Sequence, residues 1–520
     1  MKFDRTKNAA RSSVFNVIGR VVQIVFPFIL RTEIIYVLGI EYAGLNSLFT
    51  SILSVLNLAE LGVGTALVYS MYEPLANDDI EKVNMLMRLY KIYYRMIGLV
   101  ILVVGLAITP LIPYLVEGSI PDDINLYYLY FISLGSTVVT YWLFAYRNCI
   151  LVATQRTDLK STVAFSINII SYIVQFFVLL FTKNYYLYML MTPIFAVIIN
   201  IVTAMVAAKK FPQFKAEGKL PKAERQKINK SLKDLFVTKL GDVVLNTADN
   251  VIISAFLGLV SLAVFQNYYF VINALYGIFL TINQAMIPVV GNSILREKEE
   301  KNFRDLKGMT FVYAWIVTFC ISCLASLFQP FMELWVGEEY LLDYPLVILF
   351  CAFFFMLTMK MPLEVYKDAS GNWHKDRFRN LSTSLTNLAL NIILVQFFDL
   401  YGILIATIAS LLLLGIPWLL RNMFTTVFTK NAKQYILQLV IYLVSAAGIM
   451  TATALVNTLF INLDSLLLTL IARAAVCIVM PNVLMLAIFC RTKNFSFLLG
   501  FMTDLTKGKI NFKKLFRVKQ

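Results

Sequence analysis

Runs of twenty or more mostly apolar residues recur along the whole chain, divided by short polar stretches, which is the length an α-helix needs to cross a bilayer. A window of about 19 residues predicts spans near 12 to 37, 43 to 70, 94 to 116, 126 to 152, 162 to 181, 185 to 208, 232 to 256, 263 to 288, 309 to 332, 345 to 366, 380 to 398, 403 to 425, 435 to 460 and 465 to 490. An open sheet leaves backbone groups unsatisfied in lipid, and the alternation of a barrel strand is absent, so all of them are predicted to be helices. The fold class that follows is an all-α integral membrane protein with about 14 transmembrane helices. They form two pseudo-symmetric six-helix lobes plus two C-terminal helices. The predicted organisation is an N-terminal lobe over 1–208, a basic linker over 209–231 and a second lobe over 232–425. Two additional helices over 426–490 and a basic amphipathic tail over 491–520 complete it.

Composition agrees. Of 520 residues, 59% are hydrophobic and 15% charged, against roughly a quarter charged in a soluble domain. The excess of 46 Lys and Arg over 31 Asp and Glu would suggest nucleic acid in a soluble chain, but here its placement decides otherwise. With the amino end inside, 39 basic residues fall in inner loops and tails and one, Lys183, in an outer loop. Such asymmetry sets orientation, so the chain is predicted to be a multi-pass protein with both termini cytoplasmic and no nucleic-acid partner. The amino end, basic and followed by a long apolar run, reads as an uncleaved first span. The six cysteines lie in or beside apolar segments and read as packed thiols, Cys320 and Cys323 included, with no metal implied. No phosphate-loop motif occurs, and no cofactor is implied.

The second half repeats the first. Leu38-Gly39 matches Leu257-Gly258, Asn46 meets Asn267, and a shift of 219 lays Lys239 on Arg20, Asp242 on Gln23, Asn246 on Pro27 and Asn250 on Arg31. Both copies begin inside, which makes this a parallel repeat with a substrate site expected between the halves. At 100° per residue, Asn16, Arg20, Gln23, Pro27 and Arg31 form one stripe. Lys239, Asp242, Asn246, Asp249 and Asn250 form another, and Asn46, Thr50, Asn57, Glu60 and Gly64 a third. Ionisable groups facing lipid are costly, so the stripes are expected to face a hydrated cavity. Arg20 lies about 13 Å of helix beyond Arg11, near the bilayer middle. Two cations, Arg20 and Lys239, then suit an anionic group such as phosphate or pyrophosphate. The competing reading pairs one of them permanently with Asp242 or Glu60.

Other charges are read more locally. Arg31 and Glu33 either gate the outer end of the first span or snorkel outward. Lys360 and Glu364, four apart, are expected to pair, Arg147 to snorkel, and Arg473 to find a structural partner on span 13. Asp249 is a candidate ligand for a coupling ion. Pro27, Pro110, Pro193, Pro288, Pro362, Pro417 and Pro481 should bend or end helices. The tail places Phe495, Phe497, Leu498, Phe501, Phe512, Leu515 and Phe516 among lysines, the pattern of a helix lying on an anionic leaflet of membrane lipids.

The string Leu38-Gly39-Ile40-Glu41-Tyr42-Ala43-Gly44-Leu45, then Glu60-Leu61-Gly62-Val63-Gly64, resembles the first outer loop and second helix of polysaccharide flippases. These belong to the multidrug/oligosaccharidyl-lipid/polysaccharide exporter superfamily. Asp249 to Gly258, DNVIISAFLG, resembles the start of that family's carboxyl lobe, and the likeness extends over the whole chain. It implies two lobes rocking around a cavity, by which a polyprenyl pyrophosphate-linked oligosaccharide is exported across the bacterial cytoplasmic membrane. It also implies that Arg20, Arg31 and Lys239 meet the pyrophosphate. Glu60 and Asp242 depart from this by adding negative charge, with Asn246 and Asn250 beside them as polar substrate-binding candidates. The alternative is a cation- or proton-coupled multidrug antiporter of the same superfamily. The chain is not expected to be an enzyme, since its outer loops are too short for a catalytic domain, and H⁺ or Na⁺ is the possible coupling ion.

Overall fold

The computed structural model describes the backbone of residues 5–56, 63–118, 120–372, 376–429 and 432–505. The side chains of 5–18, 20, 21, 56, 65, 227, 230, 231, 233–246, 501, 502, 504 and 505 lie outside the described set. Among the described residues the chain is helical throughout, with no strand. Its helices are α1 (Arg5–Val37), α2 (Ile40–Leu56), α3 (Val63–Ala76), α4 (Ile80–Ile108), α5 (Leu126–Trp142), α6 (Asn148–Ala153), α7 (Thr157–Thr182) and α8 (Tyr185–Lys210). They continue as α9 (Lys222–Arg296), α10 (Glu299–Val336), α11 (Tyr344–Met359), α12 (Met361–Ala369), α13 (Arg379–Ser410), α14 (Ile416–Thr426), α15 (Ala432–Phe460), α16 (Leu466–Phe489) and α17 (Lys493–Leu505).

Nine described helices are long and apolar enough to cross a membrane, ten if α5 and the bent segment after it form one span. Two of these candidates, Thr247–Arg296 and Arg379–Thr426, run 50 and 48 residues, well beyond one crossing. Both contain a break. Gly258 (φ 81°, ψ 179°) interrupts α9 and Asp399 (φ 48°, ψ −131°) interrupts α13, at the junctions predicted between spans 7 and 8 and between spans 11 and 12. The prolines fall partly at helix boundaries and partly within helices. Pro110 opens a 3-10 stretch, Thr109–Leu115, and Pro417 follows a π-turn, Leu411–Gly415. Pro27, Pro193, Pro288 and Pro481 lie within helices.

The chain divides into two compact units, Met1–Ala263 and Val264–Gln520. In the first, α7 packs against α1 and α8, and α5 against α4 and α8. The repeat's matched glycines share one backbone role: Gly39 (φ 123°) and Gly258 (φ 81°) both adopt a conformation that a side chain would strain. Gly258 also lies against Glu117, whose carbonyl oxygen would be 2.8 Å from an added Cβ. Gly44 on α2 touches the Leu259 backbone so closely that a methyl group would run into the Leu259 carbonyl.

In the second unit α10 is central, packed by α11, α15, α16 and α17. Three of its buried hydroxyls are satisfied within the helix: Thr310 donates to the Leu306 carbonyl at 2.8 Å, Thr318 to Ala314 at 2.7 Å and Ser322 to Thr318 at 2.8 Å. Such groups let helices approach in lipid without leaving polar atoms unmatched. Outward, Leu99, Val103, Val444 and Ile478 are more than half exposed, as apolar side chains facing hydrocarbon should be. The tail differs from its sequence reading over α17. Phe495 and Leu499 are buried, Phe495 stacks on Trp315 at 6.0 Å, and the Phe497 ring presses on Gly308. Phe495, Phe497 and Leu499 are taken up by the protein rather than offered to a leaflet, and Phe512, Leu515, Phe516 and the side chain of Phe501 lie outside the described residues.

Lys360 pairs as expected, while Arg473 meets a carbonyl one residue beyond the predicted span 13. Lys360 Nζ lies 3.0 Å from Glu364 Oε1, and Arg473 donates from Nε and Nη2 to the Ile461 carbonyl just past α15, at 3.2 and 3.1 Å. The Lys360–Glu364 pair joins a larger cluster. Arg379 Nε donates to Asp376 Oδ1 at 2.9 Å and its Nη2 lies 3.8 Å from Glu364. Asn422 donates to Asp376 at 2.9 Å, and Lys367 lies 3.6 Å from the same carboxylate.

Candidate functional site

Of the residues predicted to bind substrate, the structure positions Arg31 and Asn250. The side chains of Arg20, Lys239, Asp242 and Asn246, and the whole of Glu60, lie outside the described residues. Arg31 is buried on α1. Its Nη1 donates to Ser47 Oγ at 3.1 Å and its Nη2 to the Ala263 carbonyl at 3.0 Å. It neither snorkels nor stands at a surface; its guanidinium joins α1, α2 and the helix that follows Gly258. One turn along α2, Ser51 Oγ accepts from Asn250 Nδ2 at 2.8 Å. Ser47 donates to the Ala43 carbonyl at 2.9 Å and Ser51 to the Ser47 carbonyl at 3.0 Å, so both hydroxyl oxygens present lone pairs outward. Arg31 from α1 and Asn250 from α9 therefore dock on one face of α2. That ladder holds in place the two helices that carry Arg20 and Lys239.

The ladder's contribution is measurable. Replacing Asn250 by Ala removes a bond worth about 1 kcal/mol. The variant is expected to melt a few degrees lower in detergent, and an unchanged melting temperature would show that the bond contributes nothing to docking.

Two residues from Arg31, Glu33, read from sequence as gating or snorkelling, is buried instead. Glu33 is 7% exposed, and neither of its carboxylate oxygens has a hydrogen-bond partner. Tyr185 Oη is likewise buried without one. Tyr185 stacks on Tyr188 at 6.0 Å and meets Tyr42 edge-on at 5.3 Å, while the Tyr42 hydroxyl donates to Asp123. A buried carboxylate without donors is unfavourable as an anion and can be relieved by taking up a proton or a cation. Among the described residues no group of three or more His, Cys, Asp or Glu side chains could hold a metal ion.

A second feature escaped the sequence reading. Between α3, α4, α5, α6, α7 and α8 the first unit has an open cavity of about 670 Å³ lined by Tyr69, Tyr72, Tyr90, Tyr94 and Tyr141 with hydroxyl and amide side chains. The signal available was tyrosine spacing, three apart on α3 and four apart on α4, which places each pair on one helix face.

The helices and their breaks make up a fold that is shared with solved structures of membrane transporters. The solved structures that share it include the lipid II flippase MurJ in an inward closed conformation. That likeness has a TM-score of 0.67 at 15% identity, covering 92% of this chain and 98% of that one. An inward-facing multidrug resistance MATE family transporter of the MOP superfamily gives 0.61 at 15% identity over 80% and 98%. A MATE transporter from Vibrio cholerae gives 0.54 at 14% identity over 82% and 99%. At these identities the likeness is one of fold. No protein-family model matches the sequence, and no curated protein matches it.

Proposed function

We propose that this chain is a multi-pass transporter of the bacterial cytoplasmic membrane, both termini cytoplasmic. On this reading it flips a polyprenyl pyrophosphate-linked oligosaccharide by alternating access for cell-surface polysaccharide export. The observation that carries the reading is the fold shared with a lipid II flippase over nearly the full length of both chains. Two sequence features support it: Arg20 and Lys239 at matched positions of a repeat, and the concentration of basic residues in one set of loops. In this account Arg20 and Lys239 hold the pyrophosphate, Arg as a fork and Lys as a movable point charge. Asp242, Asn246 and Glu60 tune that charge and meet sugar hydroxyls, and Arg31 and Asn250 fix the helices that present them.

A second reading, an ion-coupled multidrug antiporter, is favoured by one observation: the donorless carboxylate of Glu33, beside the fold likeness to MATE transporters. Reconstitution separates the two. In proteoliposomes, a labelled short-chain polyprenyl pyrophosphate sugar is expected to reach the opposite leaflet only when the protein is present, faster with an imposed H⁺ or Na⁺ gradient. Gradient-driven uptake of a cationic dye with no movement of the lipid would transfer the assignment to the antiporters.

A further inference from the structure

The tyrosine-lined cavity of the first unit lies at the end bearing Arg88, Lys91, Arg156 and Lys160, the end that the basic bias assigns to the cytoplasm. Its volume, about 670 Å³, falls in the range of small-ligand pockets, roughly 300 to 1,000 Å³. Tyr69 and Tyr72 of α3 are 75% and 43% exposed and sit edge to face at 6.1 Å. Interfacial tyrosines that merely anchor a helix face lipid. These two instead border the cavity and also a neighbouring one of about 450 Å³, so their exposed surface is concave and shared.

Opposite them the wall is fixed. Tyr90 and Tyr94 stack at 4.4 Å and their hydroxyls are 2.8 Å apart. They lie over Gly64, where a Cβ would come within 3.1 Å of the Tyr90 hydroxyl and 3.3 Å of that of Tyr94. Asn200 is buried and held by donation to the Thr140 carbonyl at 2.9 Å. Thr140 donates to the Ser136 carbonyl at 2.7 Å, which leaves its oxygen directed to accept. Among the described residues lining the cavity, Lys160 is the one charged group. The Lys160 charge works against a cationic dye, and the fixed amides and hydroxyls against a wholly apolar drug. With the tyrosine faces they suit a ring that is apolar on its C–H faces and hydroxylated on its rim, carrying one negative charge.

We infer that this cavity is a saccharide site that takes a pyranose with an anionic substituent, the ring lying on Tyr69 and Tyr72 and the charge meeting Lys160. The site rests on the flippase reading for its physiological ligand, the glycan of the lipid cargo as it is met from the cytoplasm, but its binding chemistry is independent of transport.

The test is equilibrium binding to the purified full-length protein in detergent, with glucose 1-phosphate, glucose and inorganic phosphate as probes, and a sugar-free short-chain polyprenyl pyrophosphate alongside. Glucose 1-phosphate is expected to bind at least tenfold more tightly than glucose or phosphate. Tyr72→Ala should weaken it at least tenfold, Tyr72→Trp should retain it, and Lys160→Ala should bring it to the level of glucose. All three variants are expected to bind the polyprenyl pyrophosphate as the parent does. Absence of glucose 1-phosphate binding, binding matched by inorganic phosphate, or binding indifferent to Tyr72→Ala and Lys160→Ala would overturn the saccharide site and leave the flippase reading intact. Sugar phosphate binding without polyprenyl pyrophosphate binding would do the reverse.

Discussion

Replacing Arg20 and Lys239 together by alanine is expected to lower lipid flipping at least a hundredfold, with yield and melting temperature unchanged. Each cation contributes a charge-assisted hydrogen bond to the pyrophosphate, about 1.5–3 kcal/mol. Two of them make about 3–6 kcal/mol, and each 1.4 kcal/mol is roughly tenfold. Arg20→Lys should recover part of the activity, since the charge remains while the fork is lost. Glu60→Gln and Asp242→Asn provide the contrast. If Arg20 or Lys239 is instead committed to one of these carboxylates, the alanine variants lose stability together with activity, and neutralising the acid compensates for the loss of its partner. Flipping rates and melting temperatures of the single and double variants distinguish the two cases.

The second large effect is on stability. Asp376→Ala should lower the stability of the second unit by about 3–5 kcal/mol, because it leaves Arg379 buried without its main partner. Arg379 and Asp376 are 3% and 7% exposed, and Asn422, which also donates to this carboxylate, is buried too. The nearby pair Lys301–Glu297, 2.6 Å apart with both side chains more than 40% exposed, is the control, since a surface pair of this kind is worth about 0.3–0.5 kcal/mol. Thermal unfolding of Asp376→Ala and Glu297→Ala in the same detergent checks the contrast. Equal shifts would show that the cluster around Arg379 is solvated in the folded protein.

What could be read from sequence is what is local along the chain. The apolar runs mark helices, and the breaks at Gly258 and Asp399 fall where two runs were separated. The match of Leu38-Gly39 with Leu257-Gly258 points to a shared backbone need that the positive φ of both glycines bears out. The four-residue spacing of Lys360 and Glu364 suffices to pair them. Long-range partners were not legible. Arg31 meets a carbonyl 232 residues away, and a backbone acceptor carries no mark in sequence, so the sequence suggests gating, snorkelling or contact with the cargo but not this bond. Arg379 and Lys367 fall between the predicted spans 345 to 366 and 380 to 398 and so read as loop charges, because their enclosure depends on α14 bringing Asn422 to Asp376. The tail's phenylalanines have an amphipathic pattern that suits a lipid surface and a helix groove equally. The groove on α10 exists because Gly308 leaves room for a ring.

The central claim, that the cargo is an anionic glycolipid, is tested most directly by the melting temperature of the purified protein with a polyprenyl pyrophosphate sugar or with a cationic dye. The account predicts that the pyrophosphate lipid raises it and that the rise vanishes in Arg20→Ala/Lys239→Ala. A rise with the dye alone, kept in that variant and lost when Glu33, Glu60 or Asp242 is neutralised, would contradict it.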